Sequence, residues 1–258
     1  MPLYTSEAII LRKVDYQEAD RILTFLTLER GRLSGLAKGA KRIRSRFGAS
    51  LEVLTYGKLI YFDRQGKNLV SVNQFDIIHS FQKARENLVQ SSSCQYLAEL
   101  IMAFLPEKES APDLFHLFLA SLKQIEGSRD TEAILRIFEI RFLALIGFAP
   151  RMDACVSCEN TAETYGFSRK LGGIVCPSCR GRSADVTAIS PGSLFFWRQV
   201  LSMQIDRMDR IRLQVSLNAE LKDHIHRYLL HQLGREIRSY TFLERIRNEA
   251  SVSKPRSG

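Results

Sequence analysis

Two cysteine pairs constrain this chain more than any other feature: Cys155 with Cys158 and Cys176 with Cys179, each pair enclosing two residues. That spacing lets both sulfurs of a pair reach one ion, and two such pairs complete a tetrahedral four-thiolate zinc site. The surrounding stretch, Arg151 to Asp185, is poor in apolar residues and needs support other than a hydrophobic core. Zinc supplies about 10–16 kcal/mol in comparable peptides. Between the pairs, Tyr165–Phe167 and Gly172–Ile174 suit a hairpin that returns the second pair to the first. Four protein ligands leave no open coordination position, so the expected ion is structural. A redox pair would sit in a βαβ context, and a zinc deaminase needs His-x-Glu upstream with proline before the second pair, whereas Pro177 follows Cys176. The fifth cysteine, Cys94, falls in a helical apolar pattern and reads as an inert buried thiol. An odd cysteine count without a secretory signal argues for reduced thiols and places the chain in the cytosol.

With the metal module set aside, the hydrophobic period divides the rest. From Ser6 to Asp76 short apolar runs alternate with turn signals: Ala8–Val14, Arg21–Leu28, Arg32–Ala37, Leu51–Phe62 and Asn68–Phe75, with a turn expected at 63–66. Five strands in so short a stretch fit a small closed sheet such as an OB barrel. After Ser80 the period becomes helical over Leu88–Leu105, Pro112–Ile125, Thr131–Ile146, Pro191–Met203 and Asn218–Leu233. Ser110 or Asp113 and Asp130 supply start signals, Pro106, Gly127 and Gly147 stops, and Gly234 a C-terminal cap. The expected class is therefore α+β and multidomain. An OB-fold barrel (1–80) precedes a mainly helical bundle (81–150 and 190–249), which carries the four-cysteine zinc insert (151–189), and 250–258 is a disordered tail. The 45% hydrophobic content is ample for such cores.

The net charge of +9 favours a polyanionic partner. No amphipathic basic helix or apolar run of membrane-spanning length is present, which leaves nucleic acid rather than a membrane. Between Glu29 and Glu52 there is no acidic residue, while Arg30, Arg32, Lys38, Lys41, Arg42, Arg44 and Arg46 are all cationic. Like charges at this density point into solvent or at an anion. Gly39, Ala40, Ser45 and Gly48 keep the backbone approachable, and Phe47 offers a face on which a base could stack. We expect Arg32, Lys38, Lys41, Arg42, Arg44 and Arg46 to bind nucleic acid; the bland alternative is a solvated basic loop. Further cations, among them Arg198, Arg207, Arg210, Arg212, Lys222, Arg227, Arg235, Arg238, Arg245 and Arg247, extend a track or are solvated helix faces.

Catalytic constellations are missing. Gly31 to Lys38 lacks the spacing and hydroxyl of a phosphate-binding P-loop, so no nucleotide cofactor is expected. The histidines do not group with carboxylates, and Asp206 and Asp209 read as partners of Arg207 and Arg210. The chain is not expected to be an enzyme.

Several segments resemble the bacterial recombination mediator family RecO. In the N-terminal part these are Glu7–Lys13 (EAIILRK), Tyr16–Arg21 (YQEADR), Glu29–Arg32 (ERGR), Ala37–Ala40 (AKGA) and Ser45–Gly48 (SRFG). Glu132–Glu139 (EAILRIFE), Gly147 with Phe148, the cysteine module and Arg235–Ser239 (REIRS) resemble its later regions, in the same order. The resemblance implies an OB barrel, a helical bundle and a zinc insert, in a nucleoid-associated cytoplasmic protein. It also implies a DNA-repair function of the RecF-pathway type: binding single- and double-stranded DNA, annealing complementary strands coated by the single-strand-binding protein, and helping RecR load RecA. Members engage the C-terminal tail of the single-strand-binding protein in a groove of the helical body, where Arg136 takes the place of a groove arginine, although Glu132 at i−4 offers a plain helix-surface explanation. Two other readings remain open. One is a zinc-ribbon transcription or translation factor that uses the cysteine insert to contact nucleic acid, disfavoured because only Arg180 and Arg182 flank the second cysteine pair. The other is a metal-dependent nuclease, disfavoured by the lack of clustered carboxylates.

Overall fold

The computed structural model describes residues 2–63, 68–128, 130–203 and 213–252. The chain forms two compact units, Met1–Gly127 with Arg238–Gly258, and Ser128–Ile237.

The first unit begins with five strands: β1 (Leu3–Tyr16), β2 (Asp20–Thr27), β3 (Gly31–Ala37), β4 (Tyr56–Phe62) and β5 (Val70–His79). They pair in the order β1-β2-β3-β5-β4, and β4 returns to β1, so the OB-like sheet closes on itself. All pairings are antiparallel except the closing seam, where β3 and β5 run parallel through Gly35 opposite Val70 and Leu36 opposite Ser71. Strict alternation in β3 turns Leu33 and Ala37 inward, as the two-residue pleat requires. They join Ala8, Ile10, Leu23, Phe25, Leu59, Tyr61, Val72 and Phe75 in the barrel core. β1 is buried continuously from Ala8 to Leu11, and a register shift between Ile10 and Arg12 interrupts its pairing with β2.

Helices complete this unit: α1 (Gln82–Glu86), α2 (Leu88–Phe104), α3 (Pro112–Gly127) and α7 (Arg238–Val252). Asn87 caps α2 through Oδ1, which accepts from Gln90 N at 3.0 Å. Phe115 of α3 lies edge-on to Tyr56 of β4, ring centroids 6.3 Å apart. The Glu99 carboxylate of α2 accepts the first amides of α7, Arg238 N at 3.2 Å and Ser239 N at 2.7 Å, placing negative charge where helix amides lack partners. Because α7 runs to Val252, the first three residues of the expected disordered tail are helical. Residues 253–258 lie outside the described residues.

The second unit contains α4 (Glu132–Leu145), α5 (Pro191–Ser202) and α6 (Val215–Leu233) with a small sheet of β6 (Tyr165–Ser168), β7 (Gly173–Val175) and β8 (Thr187–Ile189), in the order β7-β6-β8. The expected hairpin between the cysteine pairs is the antiparallel β6–β7 pairing. Phe167 of β6 joins the sheet to the helices, its ring 6.1 Å from Trp197 of α5 and 5.8 Å from Tyr228 of α6. Glu220 of α6 accepts from Ser190 N at 2.6 Å and from the Ser193 hydroxyl at 2.6 Å, fastening the start of α5. Gly234 ends α6 in the left-handed conformation, φ 68°, its amide donating to Leu230 O. Among the described residues, no helix is long and apolar enough to cross a membrane. The expected turn at 63–66 lies largely outside the described residues, as do Asp206, Arg207, Asp209, Arg210 and Arg212.

Candidate nucleic-acid interface and metal centre

Loop residues 38–55 connect β3 to β4, and apolar side chains fix their path. Ala40, Phe47 and Leu51 enter the barrel core, while Lys41 N donates to Ala19 O at 2.9 Å and Gly39 N to Asp20 Oδ1 at 2.8 Å. Short turns between these anchors, Arg42 N to Gly39 O and Ser45 N to Arg42 O, leave the cationic side chains outward.

Lys38, Lys41, Arg42, Arg44 and Arg46 are exposed on this one loop. The side chains of Lys38, Arg42 and Arg44 make no hydrogen bond or ion pair among the described residues. Lys41 lies 3.4 Å from Asp15, and Arg46 donates to Val72 O at 3.2 Å with its guanidinium over the Phe47 ring. Two cations of the same sequence run are committed elsewhere. Arg30 pairs with Asp63 at 2.8 Å and covers Tyr4. Arg32 is half-buried and donates to Met102 O at 2.7 Å, tying β3 to the end of α2, so it does not join the loop cations. The expectation that Phe47 stacks on bases is corrected: only 4% of it is exposed, because the barrel core takes the ring.

In the second unit the Sγ atoms of Cys155, Cys158, Cys176 and Cys179 all lie within 4.8 Å of one another. The 3.7 Å between Cys158 and Cys176 is far too long for a disulfide, about 2.05 Å, but matches the ~3.8 Å edge of a tetrahedron with metal–sulfur bonds of about 2.3 Å. Burial opposes a thiolate at Cys155, but amides of Cys176, Ser157 and Cys158 outweigh it and bring the thiol down to about 6. Cys176 N donates to that sulfur at 3.4 Å. The donor set therefore fits a soft divalent ion such as zinc, and these four cysteines could hold a metal ion. They are the one such group of Cys, His and carboxylate side chains among the described residues. Cys94 is fully buried, which pushes its thiol pKa up and makes the thiolate inaccessible.

Arg136 occupies a different setting from the expected groove or helix surface. Its side chain is 0% exposed and bonds Glu139 at 2.8 Å, whereas Glu132 accepts from Asn218 Nδ2 at 3.0 Å. One turn further along α4, Arg141 is half-buried with no carboxylate partner among the described residues, and burial lowers its pKa. The sequence reading missed it because a lone arginine in an apolar helix carries no pattern. Of the later cations, Arg198 donates to Met152 O, while Arg227 pairs with Asp223 and Arg245 with Glu249. Arg227 and Arg245 remain more than half exposed in these pairs.

Together these features define an α+β protein with an OB-like N-terminal barrel, a basic loop on that barrel and a four-cysteine centre in a helical unit. The profile described as recombination protein O N terminal matches residues 1–81, and the one described as recombination protein O C terminal matches residues 85–241. The chain belongs to the RecO family. It is 34% identical over 253 residues to the DNA repair protein RecO of Symbiobacterium thermophilum, spanning 96% of this chain and 99% of that one. The DNA repair protein RecO of Pelotomaculum thermopropionicum is 32% identical, with 95% of each chain covered, and that of Halalkalibacterium halodurans is 30% identical, with 94% and 95% covered. Membership gives the chain a role in DNA repair and recombination.

Proposed function

We propose that this chain is a recombination mediator that holds DNA strands by their phosphates and lets base pairing drive annealing. The observation that carries this reading is the loop of five exposed cations, Lys38, Lys41, Arg42, Arg44 and Arg46, fixed on a rigid barrel by buried apolar anchors. Neutralising phosphates lowers the repulsion between two strands without reading their sequence, so the same surface serves single- and double-stranded DNA and needs no nucleotide hydrolysis. Coated strands, RecR and RecA loading enter as the family's setting, with the ordinary location a bacterial cytoplasm and nucleoid. For the acidic tail of the single-strand-binding protein, Arg136 is fully buried and held by Glu139, and Arg141 is a second, half-buried α4 guanidinium whose Nε and Nη2 make no hydrogen bond among the described residues. The cysteine centre is assigned zinc with a folding role. A zinc-ribbon reading is less well supported, since Arg182 is turned to the Ser157 carbonyl.

The test uses complementary strands precoated with their cognate single-strand-binding protein, without ATP. Wild-type protein should accelerate duplex formation, and neutralising the five loop cations should abolish the acceleration. If about five phosphates are contacted, log K for single strands should fall with log salt at a slope of about −3.5. A slope near zero overturns the proposal.

A further inference from the structure

The basic loop contains one side chain that charge alone does not explain. Phe47 and Leu51 of the same loop join the barrel core, and Leu54 is buried. Ile43 is instead 105% exposed, above every other large hydrophobic residue described, the next being Val215 at 87%. Scattered exposed apolar side chains are ordinary. This one has a specific placement, because Ser45 N donates to Arg42 O at 2.9 Å and closes a turn whose two central residues are Ile43 and Arg44. Ile43 thus stands at a tip, flanked by the exposed guanidinium side chains of Arg42 and Arg44, which make no hydrogen bond or ion pair among the described residues. The turn is braced by Ala40 and Phe47 in the core, so the tip is presented by a fixed base.

A ligand that meets this tip must offer anions to both sides and an apolar slot between them. Nucleic acid has that arrangement, with phosphates outside and flat base faces inside. We propose that Ile43 is a wedge that enters between adjacent bases of the bound strand while Arg42 and Arg44 hold the neighbouring phosphates. Apolar wedges of this kind part base steps and leave them partly unstacked. Here that would keep base edges turned outward for an incoming complementary strand. The inference rests on the reading of the loop as a nucleic-acid interface and adds a non-electrostatic contact to it.

The experiment uses the full-length protein and single strands carrying 2-aminopurine, whose fluorescence rises on unstacking. Wild-type protein should raise the fluorescence. Ile43→Ala should bind about tenfold more weakly, with the fluorescence rise lost and the salt slope unchanged. Ile43→Trp should restore both affinity and unstacking. Since Ile43 contributes no buried area, the thermal unfolding of Ile43→Ala should match wild type. Equal affinity and equal fluorescence for Ile43→Ala would overturn the wedge while leaving phosphate binding intact. Failure of wild-type protein to bind at low salt would overturn the interface itself. Capture on phosphatidylglycerol vesicles that depends on Ile43, without any fluorescence change on DNA, would overturn the wedge in favour of a lipid surface.

Discussion

Arg136 and Glu139 sit three residues apart on α4 with both side chains out of water, joined by a 2.8 Å contact. Removing one charge deprives the other of a close counter-ion in a low-dielectric interior, so Glu139→Ala should lower unfolding free energy by about 3–5 kcal/mol in urea titrations. Replacing both, Arg136→Met with Glu139→Leu, should recover most of that loss. From the sequence only Glu132 is named as a partner for Arg136, yet helical spacing allows Glu139 at i+3 equally well. What favours the buried pair is the company it keeps: Leu135, Ile137, Phe138, Ile140 and Phe142 are fully buried around it, so the middle of α4 lies inside. Gly31 shows a different limit. A Cβ there would lie 1.7 Å from the Glu109 carbonyl oxygen, and its φ is +59°. Gly31→Ala should therefore destabilise by more than about 2 kcal/mol, as a drop in the urea midpoint would show. The turn at Gly31 is visible in sequence; its approach to Glu109 depends on tertiary structure.

The elements were largely readable where one face meets a core. Helices over 88–104, 112–127 and 132–145 carry the periodicity that names them, and the barrel strands alternate or run apolar. The expected strand from Leu51 begins too early: residues 51–55 lie in turns and irregular backbone before β4, with Leu51 and Leu54 buried and Leu54 N donating to Ile10 O at 2.7 Å. β8 and α7 were missed. β8 has three residues, and α7 is rich in polar side chains and depends on Glu99 to hold its first amides. In the cysteine module, Asp185 accepts from the hydroxyls of Ser168 and Ser183, each at 2.6 Å, and from Lys170 N at 3.1 Å. Burial raises its pKa, but the bonds from Ser168, Ser183 and Lys170 with the charge of Arg169 prevail and lower it from 3.8 to about 2. A depressed carboxylate stabilises fully above its unfolded pKa, and the contribution fades as pH falls from near 3.8 toward about 2. Asp185→Asn should be less stable than wild type at neutral pH, with the difference shrinking across that acidic window in parallel melts. With the proposed zinc in place, chelation should release one ion per chain and expose the amides of β6 and β7 to hydrogen exchange.

For the whole molecule, order along the chain was legible and grouping in space was not. The barrel, the helices and the cysteine segment succeed one another as the hydrophobic period says. Nothing in that period reveals that α7 belongs with the barrel-bearing unit while α4 to α6 form the other. The contacts responsible, Glu99 to the first amides of α7 and Tyr96 against Tyr240 at 5.4 Å, join residues about 140 positions apart. A fragment ending at Gly127 should therefore be cut readily by protease, and adding Arg238–Val252 through a flexible linker should restore resistance. On the ribosome, the barrel emerges early, yet its unit gains its last helix only after the whole intervening unit has been translated. Nascent chains stalled before Arg238 should keep α2 open to chaperones, a delay imposed by connectivity alone.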